Sequence, residues 1–101
     1  MRVYISGPME KDPGHVEKFA AAFVALARAG HAPVSPVDIG RALKYRMGRE
    51  PTRYEYMRAD IKAMMDCDTI CMLAGWNKSW GAKIELWIAN KLHFEHADYK
   101  E

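Results

Sequence analysis

Apolar and polar positions along this chain change period several times, and each change marks a candidate element. Arg2-Val3-Tyr4-Ile5-Ser6 is a compact β-prone run ended by Gly7-Pro8, which predicts a buried first strand and a tight turn. Asp12-Pro13 reads as a helix N-cap followed by proline at the first helical position. Residues 14–29 then carry apolar side chains at helical spacing, with Phe19, Phe23 and Leu26 facing a sheet and Gly30 as the stop. His31 to Pro36 holds two prolines within a short strand pattern, which places it at a sheet edge. Strand, helix and strand in succession predict a parallel, right-handed βαβ unit.

From Val37 to Pro51 the pattern weakens. Ile39 to Leu43 suits a short turn of helix, and the basic, irregular Lys44 to Arg49 suits either a lid over an anionic ligand or a solvated loop. Thr52 to Glu55 has the spacing of a capping box, so a helix is expected from there to about Asp66. Its inward stripe is Met57, Ile61, Met64 and Met65, and Asp60 falls inside that stripe. A carboxylate on a buried face costs several kcal/mol unless it is hydrogen-bonded or serves a site. Two readings stay open, an aspartate bonded to a neighbouring loop or a functional acid. Thr69 to Leu73 predicts a third strand, Trp80 to Lys91 a helix with Ile84, Trp87 and Ile88 inward, and Leu92 to His96 a brief fourth strand before a polar tail.

The stretch Gly75 to Glu85 lies between that third strand and the last helix, at the end of the sheet where open α/β folds bind ligands. Ser79 suits an N-cap, leaving the N–H groups of Trp80, Gly81 and Ala82 free for an anion such as phosphate. Glu85 follows on a helix face kept small by Gly81, Ala82 and Ala89. Gly7 permits close approach of a ligand or a second strand, and Pro8 fixes the turn. A buried Tyr4 needs a partner for its hydroxyl, which a carboxylate in the crevice would supply.

With 101 residues, half of them apolar, residues 1–101 form a single domain. The 15 basic and 13 acidic residues are scattered, which argues against a polymeric nucleic acid partner. Cys67 and Cys71 lack a second pair or a nearby histidine and read as reduced core thiols; no metal or other cofactor is expected. No apolar run approaches membrane-spanning length and no basic-then-apolar leader opens the chain, so a soluble, cytoplasmic protein is expected.

Three patches taken together, Tyr4-Ile5-Ser6-Gly7-Pro8, Arg58-Ala59-Asp60-Ile61 with Cys67-Asp68, and Gly75 to Glu85, resemble the nucleoside 2-deoxyribosyltransferase-like superfamily. The likeness is strongest to a small branch of largely unassigned activity and covers nearly the whole chain. It implies an α/β, flavodoxin-like, doubly wound parallel sheet of about four to five short strands. It also implies a Glu nucleophile at Glu85, a tyrosine holding it at Tyr4, and at Asp60 an acid that helps protonate the departing base. Transferases of the superfamily carry an aspartate where Ser79 stands. Ser79 and Gly81 are more similar to the branch that hydrolyses nucleoside 5′-monophosphates, where the serine and a following glycine hold the phosphate. The glycine-rich, arginine-bearing first loop of those hydrolases is replaced here by Met9-Glu10-Lys11.

The implied function is N-glycosidic bond hydrolysis or 2-deoxyribosyl transfer on a nucleoside or nucleoside 5′-monophosphate. Gly7, Pro8, Trp76, Asn77, Ser79 and Gly81 would bind substrate, and Trp76 or Trp80 would stack on the base. A non-catalytic nucleotide-binding or sensing module is the alternative built on the same crevice. A narrow sheet under Trp- and Met-rich helices further predicts a homodimer or higher assembly.

Overall fold

The computed structural model describes residues 1–10 and 12–101; Lys11, the last residue of the replaced first loop, lies outside them. Among the described residues the order is β1 (Arg2–Ser6), α1 (His15–Arg28), β2 (Ala32–Val34), α2 (Pro36–Met47), α3 (Arg53–Met64), β3 (Thr69–Met72), a 3₁₀ turn (Trp76–Lys78), α4 (Trp80–Lys91) and β4 (Glu95–His96). The strands form one sheet in the order β2-β1-β3-β4, and every pairing is parallel. This is the flavodoxin-like doubly wound arrangement. The chain leaves β1 towards β2 and returns to β3 on the opposite side, so a crevice opens at the carboxyl ends of β1 and β3.

Strand alternation divides the core in two. Val3, Ile5, Cys71 and Leu73 point to one face and pack against Phe19, Ala22 and Leu26 of α1. Tyr4 and Ile70 point to the other, where Met64 of α3 and Ala89 of α4 cover them. Phe19 is fully enclosed, a burial that stabilises by about 1.5–3 kcal/mol.

Several boundaries differ from the sequence expectation for local reasons. Asp12 does not cap α1. Its Oδ1 accepts from the Gly14 N–H at 3.0 Å and its Oδ2 pairs with Lys18 at 3.0 Å, forming a side-chain turn that delays the helix to His15. The weak stretch after Val37 is a full helix. Ser35 ends the edge strand and also caps α2, accepting from the Val37 N–H at 3.2 Å, with Pro36 in the first turn. The helix runs to Gly48, whose φ of +68° provides a left-handed stop. The irregular basic segment is therefore helical as far as Met47. The capping box at Thr52 and Glu55 forms as expected, with bonds of 3.2 and 2.9 Å.

Trp87 is not inward: the buried face of α4 is Ala82, Glu85 and Ala89, spaced i, i+3, i+7, and Trp87 is turned outward at 62% exposure. Met65 likewise sits one position past the buried Met64 and is exposed. β4 is two residues long, because Leu92 ends α4 and His93 turns with φ of +59°. The segment after it is not a free tail. Ala97 extends the ladder to Ile70 at 2.9 Å, and Ala97 and Tyr99 pack on the α1 side of the core. No described helix is long and apolar enough to cross a membrane.

Candidate active site

A cavity of about 610 Å³ occupies the crevice. That is within the usual range for small-molecule sites. Its wall includes the first turns of all four helices, at His15, Pro36, Arg53 and Trp80, whose N-terminal dipole ends favour negative charge. Gly7 and Pro8 line it from the exit of β1. Gly7 is small because β3 is close: a Cβ there would stand 2.8 Å from Leu73 Cβ. Pro8 supports the second loop, since a Cβ on Gly75, which turns at φ of +86°, would meet Pro8 Cγ at 3.3 Å.

Glu85 reaches the cavity from the small face of α4 and is 4% exposed. Tyr4 donates its hydroxyl to Oε2 at 2.8 Å, and Ser6 donates to Oε1 at 2.6 Å. Burial pushes the Glu85 carboxyl up to about 7 against the opposing pull of the Ser6 and Tyr4 hydrogen bonds. The Tyr4 phenol is held well above its ordinary value by burial and by Glu85, then Asp60, so it remains a donor.

Asp60 enters from α3, is 8% exposed, and its Oδ1 has no hydrogen-bond partner among the described residues. Burial raises its carboxyl to about 8, with repulsion from Glu85 adding to the rise. The two carboxyls thus sense each other in one desolvated wall. At neutral pH Asp60 holds its proton while Glu85 is the readier to ionise.

Ser79 caps α4, its Oγ accepting from the Ala82 N–H at 3.2 Å. Of the three N–H groups expected to be free, Ala82's is therefore taken, while those of Trp80 and Gly81 lie in the first turn, which has no intrahelical acceptors. The Ser79 hydroxyl hydrogen remains available to a ligand. Gly81 also lines the cavity, where an added Cβ would meet the flexible Met57 methyl at 2.8 Å.

Trp76 and Asn77 do not line the cavity. Gly75 turns the chain into a 3₁₀ turn whose three side chains splay about 120° apart, and of Trp76 to Lys78 only Lys78 lines the cavity. Trp80 is a wall residue, 39% exposed and not core, and Arg53 lies over its ring at 3.9 Å while Tyr54 meets it edge-on.

The basic segment does not act as one group. Lys44 pairs with Glu50 at 3.1 Å and Arg49 with Glu55 at 2.7 Å. Glu50 also accepts from Tyr56 at 2.9 Å, and it is held below its ordinary value by that bond and by Lys44. The cavity-lining cations are instead Arg41, Arg53 and Lys78, which make no ion pair among the described residues.

Ser6, Arg41 and Arg53 were not singled out from the sequence. Ser6 was legible in principle, being two residues after Tyr4 and so on the same strand face. Among the described residues no three His, Cys, Asp or Glu side chains converge as a metal ligand set. Cys67 and Cys71 are free and buried, and burial raises both thiols, Cys71 to about 11. Comparison with curated proteins returns no match. A family model described as a domain of unknown function, DUF4406, matches residues 1–96.

Proposed function

The chain belongs to the DUF4406 family, and we propose, from its site, that its cavity cleaves the N-glycosidic bond of a nucleoside or nucleoside 5′-monophosphate, as a hydrolase or 2-deoxyribosyltransferase. The observation that carries this reading is the buried pair of unlike carboxyls. Glu85 is clamped by two hydroxyls, and Asp60, which burial holds towards its neutral form, has an oxygen beside the same cavity without a partner among the described residues. That is the division of labour that glycosidic cleavage requires.

Glu85, ionised, attacks C1′ of the sugar through an oxocarbenium-like transition state. The C1′–N bond breaks as Asp60 gives its proton to the departing base. A water or a second base then takes the sugar from Glu85, and its proton returns to Asp60. An anionic substituent would lie near Ser79, Gly81 and Lys78, with Arg53 presented by Trp80. The resemblance to the nucleoside 2-deoxyribosyltransferase-like superfamily supports the same assignment of Tyr4, Asp60 and Glu85.

Incubation with a panel of nucleosides, their 5′-monophosphates and NAD, with free base followed by chromatography, tests the proposal. The native protein releases base and Glu85→Gln does not; equal release by both would sink the nucleophile. Thermal stabilisation by a nucleotide without any release would favour the binding or sensing module instead. Self-association belongs to the same reading: Tyr54, Trp87 and Leu92 are exposed at 62, 62 and 53%. Sedimentation of a clean monomer would count against it.

A further inference from the structure

Ser6 makes a 2.6 Å hydrogen bond to Glu85 through its hydroxyl, shorter than that of Tyr4. Its side chain is fully buried, and like Tyr4 it does not line the cavity. Tyr4 and Ser6 are two residues apart on β1, so both hydroxyls project to the same face and meet α4 where Ala82 and Ala89 let it come close. Each takes a different oxygen of the same carboxylate.

We propose that Ser6 is a positioning residue for the glycosidic chemistry, holding Glu85 from behind together with Tyr4 so that the carboxylate is fixed in plane and retained in its attacking form. This rests on the function proposed above only for its kinetic consequence.

A buried carboxylate with two hydroxyl donors satisfies one lone pair on each oxygen and leaves the others for the sugar. Both bonds favour the charged form and so oppose the burial that disfavours it. Removing the Ser6 hydroxyl leaves Oε1 without its donor inside the core. The other titratable and charged groups facing Glu85 or its cavity are Tyr4 on β1, Asp60 and Tyr56 on α3, Glu10 before α1 and His15 at its start, Arg41 on α2, Glu50 before α3 and Arg53 at its start, and Lys78; Cys71 of β3 lies on the opposite sheet face. None of these provides a hydroxyl to Oε1 in place of Ser6.

The test is a titration of the Glu85 side chain by carboxyl ¹³C NMR on the native chain, Ser6→Ala and Ser6→Thr, with pH profiles of base release for the same three. A hydrogen bond to a charged group corresponds to a shift of about one unit. Ser6→Ala therefore moves the Glu85 midpoint up by about one unit and lowers kcat about fivefold at pH 7, approaching tenfold at pH 6, with KM little changed. Ser6→Thr, which keeps the hydroxyl, titrates like the native protein. A Glu85 midpoint that is the same in Ser6→Ala as in the native chain overturns the proposal, and so does a Ser6→Thr midpoint displaced upward. If Ser6→Ala does not fold, Ser6→Cys, of similar shape but a much weaker donor, takes its place: its Glu85 midpoint rises, and a native midpoint there overturns the proposal. Should the native protein release no base from any substrate, the catalytic reading fails while the NMR titration still decides the role of Ser6.

Discussion

Asp60→Asn keeps the shape of the side chain and removes a buried group whose charge has no local compensation among the described residues. In the folded chain the Asp60 carboxyl titrates at about 8 against an ordinary value of 3.8. Because the folded value is the higher one, the native state holds more protons than the unfolded chain between these limits. The stability tied to this group is complete below about pH 4 and is lost as pH rises through about 8. Each pKa unit carries about 1.4 kcal/mol, so the native protein loses about 4 kcal/mol relative to Asp60→Asn between pH 5 and pH 9. Glu85, with its own raised value, is present in both proteins and contributes a similar slope to each. Urea unfolding of the two at several pH values measures the gap directly, with m-values reporting that the exposed surface is unchanged. In thermal melts the same gap corresponds to a relative gain of more than about 15 °C for the variant at the alkaline end. Parallel stability curves from pH 5 to pH 9 would refute the reasoning, because they would mean that Asp60 is solvated or compensated in the folded state.

Base release should follow a bell-shaped pH profile. It rises as Glu85 ionises near 7 and falls as Asp60 loses its proton near 8; a rate that keeps climbing above pH 9 would contradict the acid role of Asp60. Gly7→Ala should cost about 1–3 kcal/mol in urea unfolding, because its new methyl lands 2.8 Å from Leu73 Cβ, close to the backbone where neither strand yields. Arg53→Gln should weaken binding of a nucleoside 5′-monophosphate about tenfold while leaving the parent nucleoside unaffected, as isothermal titration would report; equal losses for both ligands would place Arg53 away from the anionic end.

What could be read from the chain depended on whether a signal was local. The βαβ unit was legible because its strand period, helical period and Gly30 stop agree with one another. Asp60 was legible as an exception, a carboxylate inside an apolar stripe, and among the described residues no neighbouring loop hydrogen-bonds its buried Oδ1. The Tyr4 to Glu85 bond joins residues 81 apart in the chain and came from the resemblance and from the need of a buried phenol. By contrast, α2 was obscured because Ser35-Pro36 serves two elements at once, ending an edge strand and capping a helix. Trp87 shares helical spacing with Ile84 and Ile88, which suits an inward stripe, but close packing of α4 on β1 and β3 selects alanine for the inner face and turns it outward. Trp76 and Asn77 were adjacent in sequence to the site, but the tight 3₁₀ turn separates side chains that a looser loop would have grouped.

The two borders of the sheet are both poor templates for another strand. On one side β2 is three residues long and carries Pro33, which has no N–H to offer. On the other, β4 has only two residues in strand conformation. A flat, unpaired ribbon is what commonly seeds cross-β growth, and the described residues present none of useful length. Molecules that keep the sheet should therefore resist edge-to-edge fibril formation, and strand addition is a disfavoured route of association between intact copies.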